Sequence, residues 1–230
     1  MNETLYQALT FIIPLVIAIV FHEVAHGWTA RLLGDPTAHS LGRLSLNPLR
    51  HVDPVGTVIL PGMLALAKAP IFGWAKPVPV IKERLRNPRV GMMLVAAAGP
   101  GINLVMAAVG AVVLGLLAGS VTAEPVAGGA MDFAVRNAVN FILVNVFLAL
   151  FNLLPVPPFD GSHIVEGLLP EPMARAYGAS RRWAFPVILA LLIGLPMISP
   201  ELDIAKRLVL PPVEWLTGHY FGLAEAVAAR

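Results

Sequence analysis

The hydrophobic positions of this chain gather into long uncharged blocks and do not alternate with polar ones. A helix that crosses a bilayer needs about 20 mostly apolar residues. Four blocks meet or approach that length: 4–21, 90–123, 137–159 and 183–200. The first runs straight into His22, the second can span with tilt, the third ends rich in proline, and the fourth is slightly short. A fifth block, 54–67, is interrupted by Gly56, Pro61 and Gly62 and stopped by Lys68, so it is expected to dip into the membrane and return. Residues 40–47 partly alternate, which suits a short strand. Residues 73–80 are expected to be extended, because the residue before each of Pro77 and Pro79 avoids the helical region. The pattern predicts an all-α polytopic membrane protein. It has four to five transmembrane helices, a re-entrant segment and short cytoplasmic-side β elements.

Composition narrows the class. Of 230 residues, 57% are hydrophobic and only 13% charged, about half the charged share of a soluble domain. Such a chain cannot cover a globular surface with polar groups. The first block lacks a basic flank before it and a small-residue cleavage site after it, so it reads as a span and not as a cleaved signal peptide. No repeat is visible, and the loops are too short for an inserted module, so residues 1–230 are expected to form one domain. The net charge of +2 is uninformative, and without a basic patch interleaved with aromatics no nucleic-acid partner is expected. The absence of cysteine removes disulfides, thiol nucleophiles and thiolate-bound metals. Any metal here sits on His, Asp, Glu or water.

Lys and Arg in short loops orient the spans, being enriched on the cytoplasmic side. Arg31, Arg43 and Arg50 follow the first block, five basic residues from Lys76 to Arg89 precede the second, and Arg175, Arg181 and Arg182 lie between the last two. The loop 119–132 has Glu124 and no Lys or Arg. The N-terminus is therefore expected outside, with 31–89 and 155–182 facing the cytoplasm, which requires 54–67 to be re-entrant or peripheral.

Charged groups at membrane depth are costly and face a cavity or a partner. Glu23 ends one apolar block and Asp160 closes another. Glu23 lies within His22-Glu23-Val24-Ala25-His26, an H-E-x-x-H on a helix. Its two histidines are four apart and share one face. That spacing suits two zinc ligands, with the glutamate as general base toward a water. Chance, or polar groups bonding between helices, is the alternative. Tetrahedral zinc needs a third protein ligand, and Glu83, His39, His51, Glu166, His163 and Asp160 are candidates. Asp160 is best placed, because Pro155, Pro157 and Pro158 unwind the chain just before it. Unwound backbone at membrane depth is tolerated only inside protein or along a water-filled cavity. Asp160 could instead cap a short helix starting near Ser162. Counted at 1.5 Å per residue from the outer ends of their blocks, His22 lies roughly 26 Å down and Asn152 about 23 Å down, so both reach one level.

Together these residues resemble the site-2 protease family of intramembrane zinc metalloproteases, in the compact bacterial form without a PDZ insert. The resemblance rests on His22-Glu23-Val24-Ala25-His26, on N-x-x-P-x-P-x-x-D-G read as Asn152, Pro155, Pro157, Asp160 and Gly161, on Gly99-Pro100-Gly101-Ile102-Asn103, and on 73–79. It implies a catalytic core of about 5–170, with a C-terminal helix and tail at 183–230. His22, His26 and Asp160 would hold one zinc per chain. Glu23 would activate water, and Asn152 would bond the substrate carbonyl or oxyanion. Asn103 would support the site from behind, or else only pack helices. His39, His51 and His163 read as structural or interfacial. The implied activity is an intramembrane endopeptidase in the cell membrane, its active site toward the cytoplasm, acting on transmembrane proteins or peptides. An unwound substrate could pair with 40–47 or 73–80 by strand addition. A small metal- or proton-coupled transporter is the rival reading, with the same three ligands as an ion site.

Overall fold

The structure is a computed structural model and describes residues 2–66, 73–120, 126–190, 194, 198–199, 201 and 205–230. Three of the described helices are long and apolar enough to cross a membrane: α1 (Glu3–Leu32), α4 (Pro88–Ser120) and α5 (Ala130–Asn152). Between them lie α2 (Thr37–Ser40), α3 (Leu60–Leu66), α6 (Asp160–Leu168), α7 (Glu171–Ala179) and α8 (Arg181–Leu189), with α9 (Leu210–Ala228) closing the chain. The helices overrun the uncharged blocks because charge does not end a helix. α1 continues through His22 to Leu32, and α5 begins at Ala130, its first turn carrying Asp132 bonded to Arg136 at 2.9 Å. Single prolines are tolerated inside α1 at Pro14 and α4 at Pro100, but three prolines within 155–158 cannot continue a helix, and α5 stops at Asn152, three residues before Pro155. Of the expected span 183–200, α8 covers the beginning, and most of the rest lies outside the described residues.

α1 and α5 run parallel. The Tyr6 hydroxyl donates to Asp132 Oδ2 at 2.6 Å and Asn140 Nδ2 donates to Thr10 O at 2.8 Å, so their N-termini share one end of the bundle. α4 runs antiparallel to both, with Asn103 beside Ala18 and Asn145, and Gly110 against Phe141 and Ile142. Small residues on α4 permit this approach, as in membrane helix pairs generally. A Cβ at Gly110 would meet Phe141 at 2.9 Å, and one at Gly115 would meet Ala224 O at 2.5 Å. α9 carries Glu214 and Glu225 yet packs into the core. Val213 and Ala224 join Ala107, Ala111, Ile142, Val146 and Val209 in one buried cluster, and the Tyr220 hydroxyl donates to Leu104 O at 2.9 Å. α9 runs parallel to α4, its Ala228 beside Gly119. Large apolar side chains left exposed, among them Phe11, Ile12 and Ile17 of α1 and Val105, Val109 and Leu116 of α4, form the surface that lipid covers.

No strand forms among the described residues, which departs from the expected β elements. In 40–47 the helical turn α2 occupies the start and Gly42, at φ +64°, breaks the alternation. Residues 73–81 form neither helix nor strand, and their N–H groups bond to scattered acceptors in place of a neighbouring strand. Trp74 N donates to Gly56 O at 3.1 Å, Lys76 N to His51 O at 2.8 Å, Val78 N to Glu23 Oε2 at 2.8 Å and Ile81 N to Asp35 Oδ2 at 2.6 Å. Pro77 and Pro79 lack N–H donors on the opposite edge, which discourages a second strand there. These bonds bring 51–57 and 74–76 side by side, so the chain between them leaves and returns at one place. Pro54–Ile59 is a π-helical turn leading into α3.

Candidate metal centre

His22 and His26 stand one turn apart on α1, their rings 4.6 Å between centroids and nearly perpendicular. Asp160 opens α6 and reaches both, with Oδ2 at 3.1 Å from His22 Nε2 and 3.4 Å from His26 Nε2. One potential ligand atom from each residue lies within 4.8 Å of the others. The protons of both rings are accounted for elsewhere. His26 Nδ1 is 2.7 Å from Val95 O, and a carbonyl can only accept, so Nδ1 carries a proton and in the neutral ring Nε2 keeps its lone pair. His22 Nδ1 is 2.6 Å from Asn103 Oδ1, with the same consequence. Asp160 Oδ2 is buried and receives no hydrogen bond. With both rings neutral, three lone pairs converge, an arrangement that repels itself unless a cation, a metal ion or a proton, joins it. Two imidazoles and a carboxylate are a donor set that zinc takes. Both Nδ1–H groups bonded to oxygens are the outer support that metal-binding histidines ordinarily have.

Glu23 lies beside this cluster on α1, its carboxylate held by the Val78 N–H. The expected proximity of α1 to the chain after α5 is thus present, and of the candidates for a third position Asp160 is the one that stands beside both histidines. Two of the others are engaged elsewhere: His51 Nε2 contacts Ser45 O at 2.8 Å, and His163 Nδ1 accepts from Arg181 at 2.9 Å. Glu166 pairs with Lys82 and Arg181, and His39 and Glu83 are exposed.

Residues 128–195 match peptidase family M50. The chain is 34% identical over 217 residues to a protein of Bacillus subtilis (strain 168) named "Putative zinc metalloprotease YwhC", covering 91% of this chain and 95% of that one. The chain belongs to peptidase family M50. It is 29% identical over 178 residues to a Mycolicibacterium smegmatis protein named "Putative zinc metalloprotease Rip2", covering 77% of this chain and 64% of that one. The Mycobacterium tuberculosis (strain ATCC 25618 / H37Rv) protein of the same name is 28% identical over 179 residues. No solved structure matches. The family is that of the site-2 proteases, and this member is an intramembrane zinc metalloprotease. Nothing in the arrangement favours an ion transporter.

Two glycines of the M50 motifs are explained by close approach. A Cβ on Gly99 would stand 2.5 Å from His26 Nε2 and 2.6 Å from His22 Cε1, so bare α4 backbone floors the centre. A Cβ on Gly161 would stand 2.2 Å from Leu153 O, and only glycine lets α6 tuck under the turn that ends α5. Asn103, read two ways from sequence, is fully buried and bonds His22 directly. Asn152 is the last residue of α5, and its Nδ2 donates back to Leu148 O at 2.9 Å.

No sequence motif marks Asn145. It is fully buried on α5 and accepts from Asn103 Nδ2 at 2.8 Å. Its signal in the sequence is an amide inside an otherwise apolar helix, where an unpaired polar group is costly.

α6, and Asp160 with it, is clamped to the start of α4. Arg89 Nε donates to Gly167 O at 2.9 Å, and its Nη2 bonds Leu169 O, satisfying carbonyls at the α6 C-terminus. Lys82 Nζ bonds Glu166 at 3.1 Å, and Arg181 bonds its other oxygen. Burial alone would raise the Glu166 pKa, but the Lys82 hydrogen bond and the Arg181 charge more than offset it and hold the carboxyl below its usual value. The clamp's contribution is therefore full above the unfolded pKa of about 4.3 and falls away as pH drops through the folded one. Thermal stability of wild type measured down the acid limb should fall more steeply than that of Glu166→Gln, which has no such proton to take up. Parallel acid limbs would remove the clamp from the account.

Proposed function

We propose that His22, His26 and Asp160 hold the zinc, that Glu23 is the general base, and that the enzyme cuts transmembrane segments of membrane proteins near the cytoplasmic face of the cell membrane. The convergence of two imidazole Nε2 lone pairs on the donor-free Asp160 Oδ2 carries this reading. Zinc bound there supplies the Lewis acidity that lowers the pKa of a water to about 7 and polarises the scissile carbonyl. Glu23 accepts the proton of the attacking water and returns it to the departing amine. The Asn152 amide, once turned from Leu148 O, donates to the oxyanion. A helical substrate hides its carbonyls, so it has to unwind locally before attack.

The ligand assignment is tested by metal content. Asp160→Ala is expected to lose zinc as His22→Ala does, while His163→Ala keeps it. Full zinc and activity in Asp160→Ala, with loss of both in His163→Ala, would move the third ligand to α6's next turn.

The cytoplasmic placement rests on the basic loops and on the adjacency of 51–57 with 74–76, which supports four to five spans with 54–67 re-entrant. In this cysteine-free chain, single cysteines at Arg50 and Lys82 are expected to react with an impermeant reagent from the same, cytoplasmic side. Labelling from opposite faces would make 54–67 a true span.

A further inference from the structure

An uninterrupted line of buried hydrogen bonds leads away from the metal centre into α5. Phe141 O, a backbone carbonyl, can only accept, and Asn145 Nδ2 donates to it at 2.8 Å. That fixes which way the Asn145 amide faces, so its Oδ1 points across to α4. Asn103 Nδ2 donates to that oxygen at 2.8 Å and, more weakly, to Ala18 O at 3.3 Å. The Asn103 amide is thereby fixed in turn, and its Oδ1 is left facing His22 Nδ1 at 2.6 Å. Both asparagines are fully buried, so water cannot replace either partner.

An amide is nearly the same shape in its two orientations, and only its partners choose between them. With Nδ2 turned toward His22, Asn103 would offer a donor to Nδ1. The imidazole proton would then be driven to Nε2, the atom that faces Asp160, and the lone pair a metal needs would be gone. We propose that Asn145 is a positioning residue of the zinc centre: it sets the orientation of Asn103, and through it the tautomer of His22. This rests on the ligand set given above. Neither Asn145 nor Asn103 touches the metal position.

The substitutions that separate this from a packing role are Asn145→Leu and Asn145→Asp. Leucine is close in volume, suits an apolar helix and removes the acceptor. Aspartate keeps an acceptor toward Asn103 and, as the neutral acid, a donor toward Phe141 O. If Asn145 only packs, aspartate is the more harmful change, because it brings a carboxyl into a buried site. If Asn145 orients Asn103, leucine is the more harmful for metal binding.

The experiment measures zinc affinity of the purified full chain by chelator competition, with thermal unfolding in parallel. Asn145→Leu is expected to bind zinc about 10–100-fold more weakly than wild type, the usual range for an outer-shell change, and Asn145→Asp within a few-fold. A second arm uses Asn103→Asp, whose two oxygens both accept from His22 whichever way the group turns. On that background Asn145→Leu should cost no further affinity. This arm keeps the test alive if Asn145→Leu alone yields too little folded protein. Wild-type affinity in Asn145→Leu, a larger loss in Asn145→Asp, or additive losses in the double variant would each overturn the proposal while leaving the zinc centre standing. Absence of zinc binding by wild type would bring down the ligand reading and this proposal together.

Discussion

Glu23→Gln is expected to give a folded, zinc-loaded protein that leaves a membrane substrate uncut. The amide has nearly the carboxylate's shape, and its oxygen can still accept the Val78 N–H that holds Glu23 in place. None of the three converging ligand atoms belongs to residue 23. What glutamine cannot do is accept a proton from water, and general acid–base catalysis is worth on the order of 10²–10⁴ in rate. The check is a metal analysis and a cleavage assay on the same preparations. Asn152→Ala should behave alike, keeping zinc and losing on the order of 10²-fold through the missing oxyanion donor. Equal cutting by wild type and Glu23→Gln would remove Glu23 from the mechanism.

A single methyl on α4 is expected to be almost as damaging. Gly99→Ala places a carbon within 2.6 Å of both imidazoles. The rings cannot swing away, because each is tethered at Nδ1, His22 by Asn103 and His26 by Val95 O. Either those bonds break or α4 backs off, and each route displaces the Nε2 atoms from Asp160. Overpacking costs about 1–3 kcal/mol, and a displacement near 1 Å costs about 10²-fold in rate. Zinc affinity and cleavage should therefore fall together. Gly101→Ala is the control: it lies two residues along the same helix, and a Cβ there meets nothing within 4 Å. It should bind zinc and cut as wild type does. A Gly99→Ala protein with unchanged zinc affinity and rate would mean the centre has more room than these distances allow.

The parts of the site legible in sequence are those fixed by local geometry. The i, i+4 spacing of His22 and His26 dictates a shared helical face, and the proline run before Asp160 dictates an unwound chain. Both hold wherever the helices sit. Asn145 was hidden because its meaning lies in an amide of another helix, 42 positions away. α9 was hidden because Glu214, Pro211 and Pro212 obscure an apolar face that buries Val213 and Ala224. The alternation in 40–47 misled because a pattern of side chains says nothing about backbone partners. With Gly42 at positive φ and no strand alongside, the pattern had nothing to pair with. Span edges drifted for a related reason: loss of charge marks lipid, whereas capping and clustered prolines such as those at 155–158 mark helix ends.

The direction of α9 governs how this enzyme can be handled. Ala228 sits beside Gly119 and Asn2 caps α1 near the Tyr6–Asp132 contact, so residues at both chain ends lie at the end of the bundle away from Asp160. A purification handle or fluorescent reporter joined at either terminus would hang on that far side, clear of the hydrolytic face. A bait peptide meant to meet the metal in cis would have to be grafted elsewhere, into the turns that link α6, α7 and α8.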